Sequence, residues 1–91
     1  MRRPRTTTRF ERDVRLAERR GKDLGKLRRL MLLLAAGEPL PANYRDHALK
    51  GEWGGCRDAH VEPDWVLIYR LETENTIYFE RTGTHSDLFD E

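Results

Sequence analysis

The hydrophobic period of this chain changes once, around Pro39-Leu40-Pro41, and that change limits the fold more than any other feature. Before it, apolar residues recur at helical spacing; after it, they alternate with the period of a strand. Phe10, Val14 and Ala17 follow at i, i+4 and i+7, which predicts an amphipathic helix over about 9–20, ending near Gly21. Thr8 with Glu11 three residues on has the pattern of a capping box. A second helix is expected from Lys22 or Asp23, with the stripe Leu24, Leu27, Met31 and Leu34, Leu30 alongside, and Gly37 as its stop. The Arg-Gly-Lys turn makes the pair a helical hairpin. Ahead of it, the threonine-rich stretch Arg5–Arg9 is compatible with a short edge strand, and the first four or five residues are expected to be disordered.

Past the break, Tyr44–Leu49 reads as a short polar segment, and Gly51, Gly54 and Gly55 mark a loop around Trp53. Cys56–Glu62 alternates and stops at Pro63. Trp65–Leu71 is the clearest strand, with Trp65, Leu67, Tyr69 and Leu71 on one face and Val66, Ile68 and Arg70 on the other. Glu72–Asn75 is turn chemistry, and Thr76–Thr82 returns as a third strand. Because both faces of the middle strand are largely apolar, it should be central, with helices over at least one face. The expected architecture is α+β: a short N-terminal strand, a two-helix hairpin packed on an antiparallel β-sheet, and a short tail.

With 91 residues, residues 1–91 form a single domain, and a second core would not fit. No run approaches the ~18 apolar residues of a membrane helix, so no membrane role is expected. Cys56 is the single cysteine, which excludes an intramolecular disulfide framework and fits a reducing cytoplasmic setting. The net charge of +1 conceals a division. Residues 1–35 carry 12 basic against four acidic side chains, a net of +8, whereas residues 36–91 carry five against 12, a net of −7. Such a division points to a polyanion or acidic partner on one face, or simply to solvated, arginine-rich helices.

All three histidines, His47, His60 and His85, fall in the acidic half, together with Asp64 and Arg81. Imidazole donates and accepts protons near neutral pH, so a cleft holding several histidines supplies both an acid and a base. Arg81 is suited to holding a phosphate bidentately. Trp65 and Phe89 have the surfaces for stacking on bases, although Trp65, opening the central strand, is equally a core aromatic. Three imidazoles also permit a zinc site, with Cys56 as a closing fourth ligand. However, His47 and His60 lie 13 apart and His60 and His85 lie 25 apart, without local ligand spacing. The glycines at 51, 54 and 55 are not a phosphate loop, since no helix opening on Lys-Ser/Thr follows them.

The runs LPANYRDHALKGEWGGCRDAHVEPDWVLIYR and FERTGTHSDLF, with ERDVRLAERRGKDLGKLRRLMLLL upstream, resemble the YafQ branch of the RelE/ParE superfamily of toxins from bacterial toxin–antitoxin pairs. The similarity extends from about Phe10 to Phe89. It implies a RelE-like fold and a ribosome-dependent endoribonuclease that cuts messenger RNA in the ribosomal A site without metal or cofactor. In that chemistry the ribose 2′-hydroxyl attacks the adjacent phosphate, leaving a 2′,3′-cyclic phosphate and a free 5′-hydroxyl. Carried over by motif, His47, His60, Asp64, Arg81 and His85 are the implied catalytic residues. The histidines and Asp64 would share proton transfer, and Arg81 would grip the scissile phosphate. Trp65 and Phe89 would support the base or the wall of the site.

The basic residues Arg15, Arg19, Lys22, Lys26 and Arg29 would then meet ribosomal RNA or an acidic antitoxin segment. The implied partners are the 70S ribosome, messenger RNA and a cognate antitoxin, usually a ribbon-helix-helix dimer through which operator DNA is bound. Two positions depart from the branch: Gly54 stands where a basic residue is usual, and Cys56 where tyrosine is usual. The first change removes a possible phosphate contact and the second a packing partner. The competing reading is a ParE-like toxin that binds a DNA topoisomerase without cutting. The histidine set with Asp64 weighs against it. An inactive relative serving only as a co-repressor is a third reading, and a zinc hydrolase a fourth.

Overall fold

The computed structural model describes residues 1–89 and shows a five-stranded sheet with a helical hairpin on one face and a short helix against the other. In chain order the elements are β1 (Arg3–Thr6), α1 (Thr8–Arg19), α2 (Leu24–Ala36), β2 (His47–Ala48), β3 (Arg57–Glu62), β4 (Trp65–Thr73), β5 (Thr76–Gly83) and α3 (His85–Phe89). Single 3-10 turns at Ala42–Tyr44 and Gly51–Trp53 flank β2. The strand order is β1-β5-β4-β3-β2, so β4 is central, as its two apolar faces require.

The sheet is mixed rather than purely antiparallel. The β2-β3-β4-β5 run is antiparallel, but β1 pairs parallel to β5, with Arg3 opposite Thr76 and Thr6 opposite Phe79. A strand that enters a helix directly reaches this edge only in that direction. The N-terminal strand also lies earlier than expected, at Arg3–Thr6 instead of Arg5–Arg9, and the first residues are held in place. Arg2 donates from its backbone N–H to the Ala35 carbonyl at 2.7 Å and from Nη1 to the Leu34 carbonyl at 2.8 Å. It thereby satisfies the Ala35 carbonyl at the end of α2 and adds a second donor to the Leu34 carbonyl, which also accepts the Gly37 N–H at 3.2 Å.

Thr7, not Thr8, caps α1, its hydroxyl accepting from the Phe10 N–H at 3.0 Å. Glu11 instead accepts from the Thr6 hydroxyl. At the far end of α2, Gly37 takes the left-handed conformation (φ 75°) expected of a helix stop. The hairpin packs Phe10, Ala17, Leu27, Leu30 and Leu34 onto Trp65, Leu67, Tyr69, Ile77 and Phe79. Burying each large side chain here contributes about 1.5–3 kcal/mol. The opposite face of β4, Val66 and Ile68, is covered by Cys56 and Leu88, with Leu49, Trp53 and Phe89 at its edge. The expected tail is therefore a helix, α3, that closes this second, smaller core.

The ladder has three irregularities, two of which bear on the site and one of which lies between Leu71 and Thr73. Between β3 and β4 the register shifts from His60↔Val66 to Glu62↔Trp65, leaving Val61 unpaired. Between β4 and β5 it shifts from Ile68↔Arg81 to Tyr69↔Phe79, leaving Glu80 as the extra residue. The second bulge breaks the alternation of β5, so that Ile77, Phe79 and then Thr82 are buried, and Arg81 is displaced from the core face.

Candidate active site

The strand ends and α3 bring the three histidines into one row. His47 on β2 and His60 on β3 have ring centroids 6.3 Å apart, and His60 and His85 are 5.4 Å apart. The Phe89 ring continues the row 6.0 Å beyond His85. His60 lines an open cleft of about 410 Å³ together with Asn43, Arg45, Val61, Glu62 and Pro63. Residues scattered over 43 positions of sequence thus share one surface.

His85 is held through its backbone N–H and its ring Nδ1. Asp64, at the turn between β3 and β4, accepts from the His85 backbone N–H at 3.0 Å and from the ring Nδ1 at 2.7 Å. These bonds hold the Asp64 carboxyl below the usual carboxylate range. With Nδ1 engaged, Nε2 is the nitrogen left for chemistry. Ahead of His85, Thr84 and Asp87 form a reciprocal cap: the Thr84 N–H donates to Asp87 Oδ2 and the Asp87 N–H donates to Thr84 Oγ1, both at 3.0 Å. The Asp87 carboxylate also takes two hydrogen bonds from Arg20 at the end of α1, at 2.7 and 3.3 Å. Arg20, followed by the Thr84 N–H, pulls its carboxyl down to about 2. Gly83 permits this closure, since a Cβ there would lie 3.0 Å from Asp87 Oδ2 and 3.1 Å from its Cβ.

Arg81 stands on β5 opposite Ile68 and is not free. Its Nε and Nη2 are both bound by Asp13 of α1, at 2.7 and 3.0 Å, and Asp13 also accepts from the Thr82 N–H at 3.1 Å. The bond to Asp13 keeps the guanidinium charged and fixes its Nε and Nη2, so that Nη1 is the nitrogen Asp13 does not take.

Trp65 does not reach the cleft surface. It is 1% exposed, and its indole N–H donates to the Thr82 hydroxyl, which in turn donates to the Val66 carbonyl. A base cannot stack on a ring so enclosed, so the expectation that Trp65 contacts substrate is corrected: it is a core residue that fixes the end of β4 beneath the site. Phe89 is half-buried against the smaller core and borders His85.

Of the cationic residues singled out, Arg15, Arg19 and Arg29 are exposed and make no ion pair among the described residues. Lys22 and Lys26 instead converge on Glu62, at 3.4 and 2.9 Å. Cys56 is buried, and burial pushes its thiol up, which makes it a packing residue rather than a ligand. Among the described residues no group of three or more histidines, cysteines or acids is arranged to hold a metal ion.

Two features of the site were not picked out from the sequence. Asp58 on β3 is a buried carboxylate beneath the histidines. Its signal was its place two residues before His60 on an alternating strand, which puts both on one face. Arg45 lines the cleft with a left-handed backbone (φ 50°). For that strain no sequence signal stands out.

The family described as the bacterial toxin of type II toxin–antitoxin systems, YafQ, matches residues 2–90. This chain belongs to the YafQ toxin family. It is 58% identical over 81 residues to the mRNA interferase toxin YafQ of Escherichia coli (strain K12), covering 88% of this chain and 87% of that one. Its fold is similar to a chain of the solved E. coli DinJ–YafQ complex, with a TM-score of 0.90 at 53% identity, covering 98% of this chain and 99% of that one. A metal-bound toxin from Helicobacter pylori also matches, with a TM-score of 0.90 at 37% identity, over 98% of this chain and all of that one.

Proposed function

We propose that this chain is an endoribonuclease toxin that cuts messenger RNA in the ribosomal A site by acid–base chemistry of its own side chains. The observation that carries the reading is the row of three imidazoles, one of them bonded through Nδ1 to Asp64. Cleavage next to a ribose needs no nucleophile from the protein. One imidazole removes the 2′-hydroxyl proton as O2′ bonds to phosphorus. As the P–O5′ bond breaks, a second imidazole protonates the leaving O5′. The products are a 2′,3′-cyclic phosphate and a 5′-hydroxyl. His47, His60 and His85 supply the proton carriers, with Asp64 orienting His85. The free Nη1 of Arg81 is aimed by Asp13 and meets charge developing on the phosphate. Phe89 borders His85 as a stacking wall for the base.

The arginine-rich hairpin supplies affinity rather than chemistry. Arg15, Arg19 and Arg29, joined by Lys22 and Lys26, meet ribosomal RNA phosphates and position the cleft over the codon. The same basic surface suits an acidic segment of a cognate antitoxin. That antitoxin is a DinJ-like partner, read as a ribbon-helix-helix dimer that carries the complex to operator DNA. The setting is the cytoplasm, where ribosomes and message are found.

The test is cleavage of a defined message in purified 70S initiation complexes by wild type, His85→Ala and Arg81→Ala, with a chelator control and end-group analysis. Codon-positioned cutting by wild type, with cyclic phosphate ends and at least ~100-fold loss in His85→Ala, is the expected result. Equal cutting by both variants would refute the site. No cutting by wild type alongside growth arrest on expression would instead indicate a toxin that acts by binding.

A further inference from the structure

Asp58 is the one acidic side chain among the described residues that is almost wholly buried, its side chain 3% exposed. No lysine or arginine pairs with it, and its Oδ1 accepts no well-directed hydrogen bond. A buried carboxylate without a cation is costly, so a compensating partner has to be sought nearby. That partner is His47, directly opposite on the neighbouring strand in the β2–β3 ladder. Its Nδ1 lies 2.9 Å from Asp58 Oδ1. The ring's Nδ1–H points instead at the Arg45 carbonyl, also 2.9 Å away, which the left-handed backbone of Arg45 turns toward it. The carboxylate therefore faces the ring as a charge rather than as the acceptor of its N–H.

We propose that Asp58 is a positioning residue for His47: the Arg45 carbonyl keeps Nδ1 protonated and Nε2 outward, and Asp58 faces the ring so held with a fixed negative charge when it carries the extra proton. The arrangement parallels Asp64 and His85, so the row is flanked by a carboxylate–imidazole pair at each end with His60 between them. The two pairs differ in surroundings. The Asp64 side chain is 70% exposed and its field is screened by water, whereas Asp58 is itself buried and only the His47 ring it faces, 54% exposed, meets solvent. Burial pushes the Asp58 carboxyl up, while His47, His60 and His85 oppose that push, so the three rings and the carboxylate form one electrostatic unit. This inference rests on the acid–base reading of the site.

The experiment is a double-mutant cycle with Asp58→Asn, His47→Gln and the pair, read as single-turnover cleavage of message in saturating 70S complexes. Asp58→Asn should slow cleavage by about 10- to 100-fold, part of the 10²–10⁴ that acid–base catalysis supplies, with ribosome affinity unchanged. In the His47→Gln background the same substitution should change the rate by less than about twofold, because the group it acts through is gone. Full activity in Asp58→Asn, or a double variant slowed by the product of the two single effects, would overturn the proposal. The latter would make Asp58 a structural residue only.

Long-range proton–nitrogen spectra of the imidazoles in the full chain decide the matter without cleavage. Neutral His47 should be the Nδ1–H form in wild type, and its ring signals should move more than those of His85 in Asp58→Asn. An Nε2–H form in wild type, or unmoved His47 signals, would overturn the proposal. Should His47→Gln cleave normally, the acid–base reading of His47 fails, and these spectra still judge the placement of its ring. If Asp58→Asn does not fold, Asp58→Ser takes its place, and His47 signals that stay unmoved in it would overturn the proposal.

Discussion

Asp87 joins the end of α1 to the short helix that carries His85 and Phe89, so replacing it with asparagine should loosen the site from behind. The substitution keeps the shape and removes the charge that Arg20 and the Thr84 N–H both address. With its carboxyl at about 2 against an ordinary 3.8, the shift corresponds to about 2.4 kcal/mol at ~1.4 kcal/mol per unit. The pair with Arg20 faces water, which screens it, and about 1 kcal/mol is the expected loss at pH 7. For a domain of this size that lowers the melting midpoint by about 4–8 °C.

The pH dependence has a definite sign. Between the two values the native state holds fewer protons than the unfolded chain, so stability falls as the pH drops through the window from about 4 to about 2. Above it the contribution is fully present. Urea unfolding of wild type and Asp87→Asn, followed by tryptophan fluorescence, should show the gap at pH 7 and its progressive closing below pH 4. A gap that is the same at pH 7 and pH 2, or absent at pH 7, would refute the reasoning.

Asp13→Asn should lower the cleavage rate by about tenfold, since it removes the carboxylate charge and one of the two bonds that aim Arg81, and should leave ribosome affinity within about twofold; single-turnover rates against binding isotherms check this. Arg45→Gly should stabilise the fold by about 1 kcal/mol, because only glycine takes φ 50° without strain, and should nevertheless reduce cleavage by removing a cation from the cleft. Thermal unfolding and the cleavage assay together test it. Glu62→Gln should free Lys22 and Lys26 to bind phosphate, tightening ribosome binding and steepening its dependence on log salt by about one to two; titrations at several salt concentrations measure that slope.

The elements legible in the sequence are those whose side chains report their own environment. The hairpin stripes and the two-faced Trp65–Leu71 run depend on burial, and burial leaves a period. Gly37 marked the end of α2 for the same local reason. Three elements escaped because local pattern did not define them. β2 is two exposed residues held by pairing to β3, and no period can be read from two residues. The N-terminal strand was placed too late because its threonines suggested a strand, while its position is set by Arg2 anchoring on α2. Helix α3 falls where the sequence pattern predicts only a short tail, although Thr84 and Asp87 carry capping-box spacing there.

The site was legible as a set of residue types and not as an arrangement. His47, His60, His85 and Asp64 drew attention because imidazoles and carboxylates are costly to gather without chemistry. Trp65 was ambiguous between core and substrate contact, and only its burial decides. Asp58 and Asp13 stood among 16 acidic residues with nothing in composition to separate them. Their importance comes from position: one faces His47 across a ladder, and the other meets Arg81 because β5 bulges at Glu80.

The +8 and −7 halves are interlocked around the site. Asp13 of α1 holds Arg81 of β5, Arg20 of α1 holds Asp87 of α3, and Lys22 and Lys26 hold Glu62 two residues before Asp64. Each link runs from the basic hairpin to a residue in or next to the histidine row. The links are not equivalent under a polyanion. Arg81–Asp13 is largely buried and resists competition, while the two lysines are exposed enough to exchange Glu62 for a phosphate. Engaging RNA would thus release Glu62 at the mouth of the cleft without disturbing the groups that aim Arg81 and His85. On the proposed reading the charge division seen in the bare sequence does two things: it would give the hairpin its attraction for phosphate, and its ion pairs brace the histidine end against the hairpin.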